Sequence, residues 1–261
     1  MTNHQTRIGR LSAFVLLSLS ILATACSGTG NASEAAGENP GAARADDRSS
    51  PLTATALKAA LLTGAEAEAM GFTVTGSYMR DGADTDNAGG EVAEPAACLI
   101  LRNIRSEHAP GRGESAAWSV MYRGQSALWP RRTVLTSYPV STARARMTEL
   151  RRAVETCGGY EVRNPYGSSS ITTETLPVPA LGDEAVRYRL LGRMKSTSGN
   201  SGWSYSLVTV VRKGGVLVSV DNSDNLGPTP VDQLKKFTPE PGPDEPMIAA
   251  LTAKIGEAVD P

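Results

Sequence analysis

The sequence predicts an α+β domain, an antiparallel β-sheet with helices packed on one face. Three observations carry that expectation. Segments in the second half of the chain alternate apolar and polar residues, as in Val186, Tyr188 and Leu190 against Arg187 and Arg189; a strand with one buried face has this period of two. Two other segments, Thr142–Thr156 and the one opening at Asp244, repeat apolar residues every three or four positions, the helical period. Helical patterns stand first and last with strands between them, which favours antiparallel neighbours over βαβ crossovers.

The first element is a helix over Thr55–Leu62, with Leu57 and Leu61 on one face. Thr63-Gly-Ala-Glu66 has the spacing of a capping box and Gly71 is a natural stop, so a short helix spans 64–70. Phe72–Tyr78 reads as a strand, and the acidic, glycine-rich run Asp81–Glu94 as a mobile loop. Ala117–Arg123 and Thr133–Val140 are further strands. Thr142–Thr156 is the strongest helix: Met147, Leu150 and Val154 share a face, Ser141 caps it and Gly158-Gly159 ends it. Ile171–Val178, Val186–Leu190 and Trp203–Val211 are strands, and the Gly214-Gly215 turn joins the last of these to Val216–Val220 as a hairpin. Asn222–Pro243 reads as loop-rich, and Asp244 with Pro246 opens a closing helix along Ile248, Leu251, Ile255 and Val259. Residues 51–261, about 210 positions, suit one domain of above-average size.

The hydrophobic content of 40% is too high for a disordered chain. At the N-terminus Arg7 and Arg10 precede an apolar run from Leu11 to Leu22. At about 15 residues, counted on through the small residues Ala23-Thr-Ala25, this run is too short to span a bilayer as a helix, and it ends as a secretory signal does. It leads into Leu22-Ala-Thr-Ala-Cys26, which resembles the lipobox of bacterial lipoproteins, with Ala23 where a large aliphatic residue is favoured. The resemblance implies removal of residues 1–25, a diacylglyceryl group on Cys26, and a chain held by that membrane anchor at the outer face of the cell membrane. The other reading, an ordinary signal peptide, leaves Cys26 as an odd thiol in an oxidising compartment. Residues 26–50 then form a disordered tether, since Ser27–Ser50 contains no aromatic or branched aliphatic residue.

Of the 26 basic side chains, Arg7 and Arg10 fall in the first 25 residues; the 24 that remain face 27 acidic ones, a net of about −3. No basic excess is left to hold nucleic acid. With Cys26 assigned to lipid, Cys98 and Cys157 remain, and two cysteines in an exported chain most simply form one disulfide. A structural zinc site wants four ligands, whereas those cysteines are joined in the mature chain by one histidine, His108.

The catalytic inventory is thin. His108 lies in the loop-like Ser106–Gly113, and Ser115 lacks the closing glycine of a nucleophile elbow. Asp221-Asn-Ser-Asp-Asn225 has Leu226 and Asp232 where a calcium loop needs glycine and glutamate; it reads as a turn, as do Asp84 and Asp86. Glu174, Asp183 and Glu184 are the carboxylates near strand ends that a glycosidase-like hydrolysis would draw on, with Gly182-Asp183-Glu184 otherwise a turn. Trp129-Pro-Arg-Arg132 reads as a strand end with snorkelling arginines, or as an exposed cationic–aromatic patch.

Leu61-Leu62-Thr63 leading to Gly71-Phe72, Pro95-Ala-Ala-Cys98, the helix ending at Cys157, Leu181-Gly-Asp-Glu-Ala185 and the long hairpin together resemble actinobacterial envelope lipoproteins. Their domain is similar to the extracellular sensor domain of mycobacterial serine/threonine kinases. The resemblance implies an antiparallel sheet with packed helices and a cleft for a ligand; those sensor domains usually carry two disulfides, and this chain has cysteines for one. The expectation is a lipid-anchored, non-enzymatic sensor-like module with no cofactor or metal, binding a small molecule or lipid. A scaffold for another envelope protein is the alternative, and a carboxylate-based hydrolase the third reading.

Overall fold

The structure, a computed structural model, describes residues 50–82, 90–106, 115–123, 130–227, 233 and 244–259, all within one compact unit, Ala43–Pro261. The expectations for Cys26, the signal segment, most of the tether, Asp84, Asp86, His108, Trp129 and Asp232 fall outside the described residues.

Nine strands form one antiparallel sheet: β1 (Phe72–Asp81), β2 (Val92–Glu94), β3 (Ser115–Arg123), β4 (Pro130–Ser137), β5 (Gly159–Asn164), β6 (Gly167–Leu176), β7 (Glu184–Ser196), β8 (Ser201–Lys213) and β9 (Val216–Leu226). Their order across the sheet is β1-β3-β4-β9-β8-β7-β6-β5-β2. The helices are α1 (Ala54–Ala60), α2 (Gly64–Ala69), α3 (Ile100–Asn103), α4 (Val140–Thr156) and α5 (Glu245–Val259). A 3-10 turn, Ala96–Leu99, leads into α3. The class is the expected one, a single α+β domain around an antiparallel sheet with one disulfide.

Helices cover both faces of the sheet rather than the one expected. On one face α3 and α4 bring Leu101, Met147, Leu150 and Val154 against Tyr188, Val208, Val210 and Leu217. On the other, α1, α2 and α5 bring Leu57, Ala67, Ile248, Leu251 and Ile255 against Met121, Leu135, Val211, Val218 and Val220. The cause is written in the central strands. Every residue from Tyr205 to Arg212 and from Val216 to Asn222 is buried, and a strand buried on both faces carries a near-continuous apolar run. Each fully buried Leu, Ile or Met contributes about 1.5–3 kcal/mol.

Local chemistry fixes the ends of the elements. The Thr63–Glu66 capping box is present in both directions: Glu66 N–H donates to Thr63 Oγ1 at 3.2 Å and Thr63 N–H to Glu66 Oε2 at 2.7 Å. Lys254 of α5 reaches the same carboxylate at 2.7 Å, tying α5 to α2. Those bonds, from Lys254 foremost and then from Thr63, hold the Glu66 carboxyl down at about 2. Strand β4 begins and ends three residues before the expected span, because Pro139 stops it and Val140 already starts α4. No side chain caps α4, so Ser141 is a helical residue and not its cap.

Asp244, at the head of the closing helix, fastens α5 to the sheet. Its carboxylate accepts from Arg131 Nε and, at 3.0 Å, from Arg123 Nη2, while the Phe72 ring centre lies 4.9 Å from the Arg123 guanidinium carbon and 5.8 Å from that of Arg131. Arg131 is fully buried and also donates to Asn222 Oδ1 at 2.7 Å. The expectation that Arg131 snorkels is therefore corrected: β9 and α5 close over β4 and supply the buried charge with its partners.

Candidate functional site

The candidate site is where one sheet face runs out from beneath α4. Successive cross-strand rows on β7, β8 and β9 read Tyr188–Val208–Asp221, then Leu190–Ser206–Ser223, then Gly192–Ser204–Asn225. Side chains shrink and turn polar along that sequence, so the sheet surface drops away. The result is a cleft of about 610 Å³, within the usual range for ligand pockets. Gly192 helps to set its depth: a Cβ there would stand 2.5 Å from Ser204 Oγ. Ser168 and Ser169 of β6, Asn164 and Tyr166 at the β5–β6 turn, and Asn200 at the β7–β8 turn enclose the far side.

The near wall comes from α3, and the disulfide positions it. Cys98 in the 3-10 turn is bonded to Cys157 at the C-terminal cap of α4, with Cα atoms 5.8 Å apart. Four and seven residues further on, about one and two turns, Arg102 and Arg105 reach the cleft. Arg105 Nη1 donates to Ser206 Oγ at 2.9 Å and to Asp221 Oδ2, and Arg102 Nη2 donates to Glu91 Oε1 at 2.8 Å. Beneath them the Tyr188 hydroxyl donates to the Leu101 carbonyl at 2.8 Å, fixing α3 to β7.

Burial governs the electrostatics. It lowers the Arg102 guanidinium, helped by repulsion from Arg105 and offset by Glu91. For Arg105 burial works the same way but Asp221 outweighs it, so the charged form is held more firmly than usual. The Tyr160 phenol is pushed up to about 12 by burial, against the two arginines, and Tyr188 is raised well above its ordinary value by the same cause. Next to the cleft, on the opposite face of β9, burial raises the Asp224 carboxyl, against the Asn225 N–H bonded to it. Three buried groups here, the Tyr160 hydroxyl, Arg105 Nε and Asp221 Oδ1, have no hydrogen-bond partner among the described residues. Arg102 and Arg105 have their carboxylates in Glu91 and Asp221. With those charges matched inside the wall, the floor beside them presents hydroxyl and amide groups among apolar side chains.

The sequence-derived candidates scatter. Cys98 and Cys157 are joined as expected. Ser115 is buried and donates to the Leu52 carbonyl, a structural contact. Glu174 pairs with Arg189 across β6 and β7. Asp183 and Glu184 follow the Gly182 turn, where φ is +58°, and both bond Arg212. Burial opposes ionisation of Glu184, but hydrogen bonds from Arg212 and Arg151 win and lower it. No two of these three carboxylates belong to the cleft lining. Among the described residues, no three His, Cys, Asp or Glu side chains gather to hold a metal, and no helix is long and apolar enough to cross a membrane.

Asp221–Asn225 overturns an expectation. It is not a turn but part of the second half of β9, where Asp221 to Leu226 pair with Val208 to Trp203 of β8. Pairing with a long neighbour overrides the weak strand propensity of Asp, Asn and Ser. Arg102, Arg105 and the serine rows escaped the sequence reading, because α3 is only four residues long and serines advertise no chemistry. The one available signal was the alternation Gly202, Ser204, Ser206 along a strand whose other positions are large. No protein-family model matches the chain, and no curated protein or solved structure is significantly similar to it.

Proposed function

We propose that the protein is a ligand-binding, sensor-like module, exported and held at the outer face of the cell membrane by a lipid on Cys26, with the β5–β9 cleft as its binding site. The observation that carries the reading is the cleft itself: about 610 Å³, walled by α3 and floored by hydroxyl-bearing rows. The carboxylates a hydrolase would draw on are engaged in ion pairs with Arg189 and Arg212, which favours binding without turnover. The resemblance of several short motifs to envelope sensor lipoproteins points the same way, as do the apolar N-terminal segment and Cys26. Native mass spectrometry of the full chain, purified from its own host without denaturant, tests the proposal. A reproducible extra mass released on unfolding is the expected result; turnover of a substrate, abolished by a single carboxylate or serine change, would refute it.

A second reading, docking of another envelope protein, has its own observation. β1 ends the sheet and exposes Tyr78 (52%) and Met79 (46%), with Tyr78 stacked on Trp118 at 5.7 Å. Edge strands of this kind invite strand addition. Cross-linking in intact cells that yields one dominant partner through β1 would favour it.

A further inference from the structure

We infer that the cleft takes a neutral, polyhydroxylated ligand, a glycan segment, rather than an anion or an acyl chain. The inference rests on the ligand-binding reading above and gives it a chemical class.

The floor decides against an acyl chain. Ser223 of β9 and, one row on, Ser204 opposite Asn225 reach the cleft surface, while Ser206 opposite Ser223 is buried and already accepts from Arg105. A hydrocarbon covering those rows would strip water from hydroxyl and amide groups and return no hydrogen bond, which costs free energy at each group. Hydroxyls and amides both donate and accept, and so do the hydroxyls of a sugar. Two to three successive sugar oxygens can thus be answered by one row after another without charge on either side.

The charges decide against an anion. Arg105 is already bonded to Asp221, and Arg102 to Glu91. An incoming anion would have to displace a built-in carboxylate from either arginine.

The rim supplies the remaining element. Tyr166 is 77% exposed, yet its backbone is held on both sides: its N–H donates to Asn164 Oδ1 and its carbonyl accepts from Thr197 N–H, each at 2.9 Å. An exposed aromatic ring on a tethered backbone beside a hydroxyl-lined cleft offers an apolar surface, suited to the C–H face of a sugar whose hydroxyls turn to the serines.

The test uses the full chain in a non-glycosidic detergent, applied to an array of neutral oligosaccharides printed beside sulfated and phosphorylated counterparts. Expected is retention of neutral glycans, with affinity for the best of them reduced roughly tenfold or more by Tyr166→Ala and by the Ser204→Ala/Ser223→Ala pair. Tyr78→Ala, on β1 and outside the cleft, should bind as the parent does. Tyr166 and Tyr78 are exposed, so these two variants fold. Silence from every neutral glycan, preference for the anionic ones, or cleft variants that bind unchanged would overturn the inference. A native spectrum separates the two levels. A released mass that is not a sugar ends the glycan assignment and leaves the ligand-binding reading, whereas a bare protein with a blank array ends both. A released sugar carrying acyl chains would identify a glycolipid head group as the source, and one without them a free glycan.

Discussion

Replacing Asp244 by Asn should cost about 3 kcal/mol of stability, the low end of the range for breaking a buried ion pair. The side chains of Arg131 and Asp244 are 0% and 2% exposed, so removing the carboxylate leaves the Arg131 Nε facing a neutral amide out of reach of water. Asn retains one carbonyl acceptor, which is why the low end applies. It also tolerates the positive φ of 51° at this position, so backbone strain does not confound the result. The backbone role is untouched, since Met247 and Ile248 donate to the Asp244 carbonyl and not to its side chain. Arg123 is the internal control. It bonds the same carboxylate at 3.0 Å but its side chain is 44% exposed, so Arg123→Met should cost less than about 1 kcal/mol. Urea unfolding followed by tryptophan fluorescence, with m unchanged, gives both differences. For a domain of this size about 3 kcal/mol corresponds to roughly 6–12 °C in Tm. A cost for Asp244→Asn no larger than that for Arg123→Met would refute the claim that burial, not contact, sets the value.

Other expectations follow from features already described. Glu66→Gln should destabilise above pH 4.5, the ordinary value from which Glu66 is lowered to about 2, and the gap should close as pH falls from 4.5 towards 2. The sign follows because a depressed carboxyl contributes only where the unfolded state would be ionised; the side chain is 42% exposed, so added salt should shrink the gap. Changing Cys98 and Cys157 together to Ser should remove about 4 kcal/mol by the loop-entropy estimate for a bridge spanning 59 residues. Hydrogen exchange should rise first in α3, which the bridge holds against α4. Cys26→Ser should move the protein from the membrane fraction to the soluble exported fraction, and retention in the membrane would refute the anchor.

What could be read in advance depended on how many residues carry a signal together. The long α4 face of Met147, Leu150 and Val154, the capping box at Thr63 and the hairpin at Gly214-Gly215 each repeat one message over several positions. Strand β5 rests on Tyr160 and Val162 alone, and β2 on three residues at an edge, so neither stood out. The double covering was written in Val208-Thr-Val-Val211 and Val216-Leu-Val218, runs too continuous for a strand with one wet face. The cleft is legible only after folding, because it joins Arg102 and Arg105, the serines of β8, and the polar end of β9, more than a hundred residues apart in part.

The middle of this sheet is made by some of its last strands to be synthesised. β4 finds its partner in β9, and the 130–137 segment therefore waits for residues 216–222. Until the β8–β9 hairpin arrives, β1, β3 and β4 form a three-stranded piece with a bare edge, and α5 has no surface to close. A chain emerging from its N-terminus thus cannot complete either core ahead of the C-terminal quarter. Such late closure makes a chain cut short before Val216 a source of open strand edges rather than a smaller working domain, and under the proposed export it would leave the chain unfolded for passage through a membrane pore.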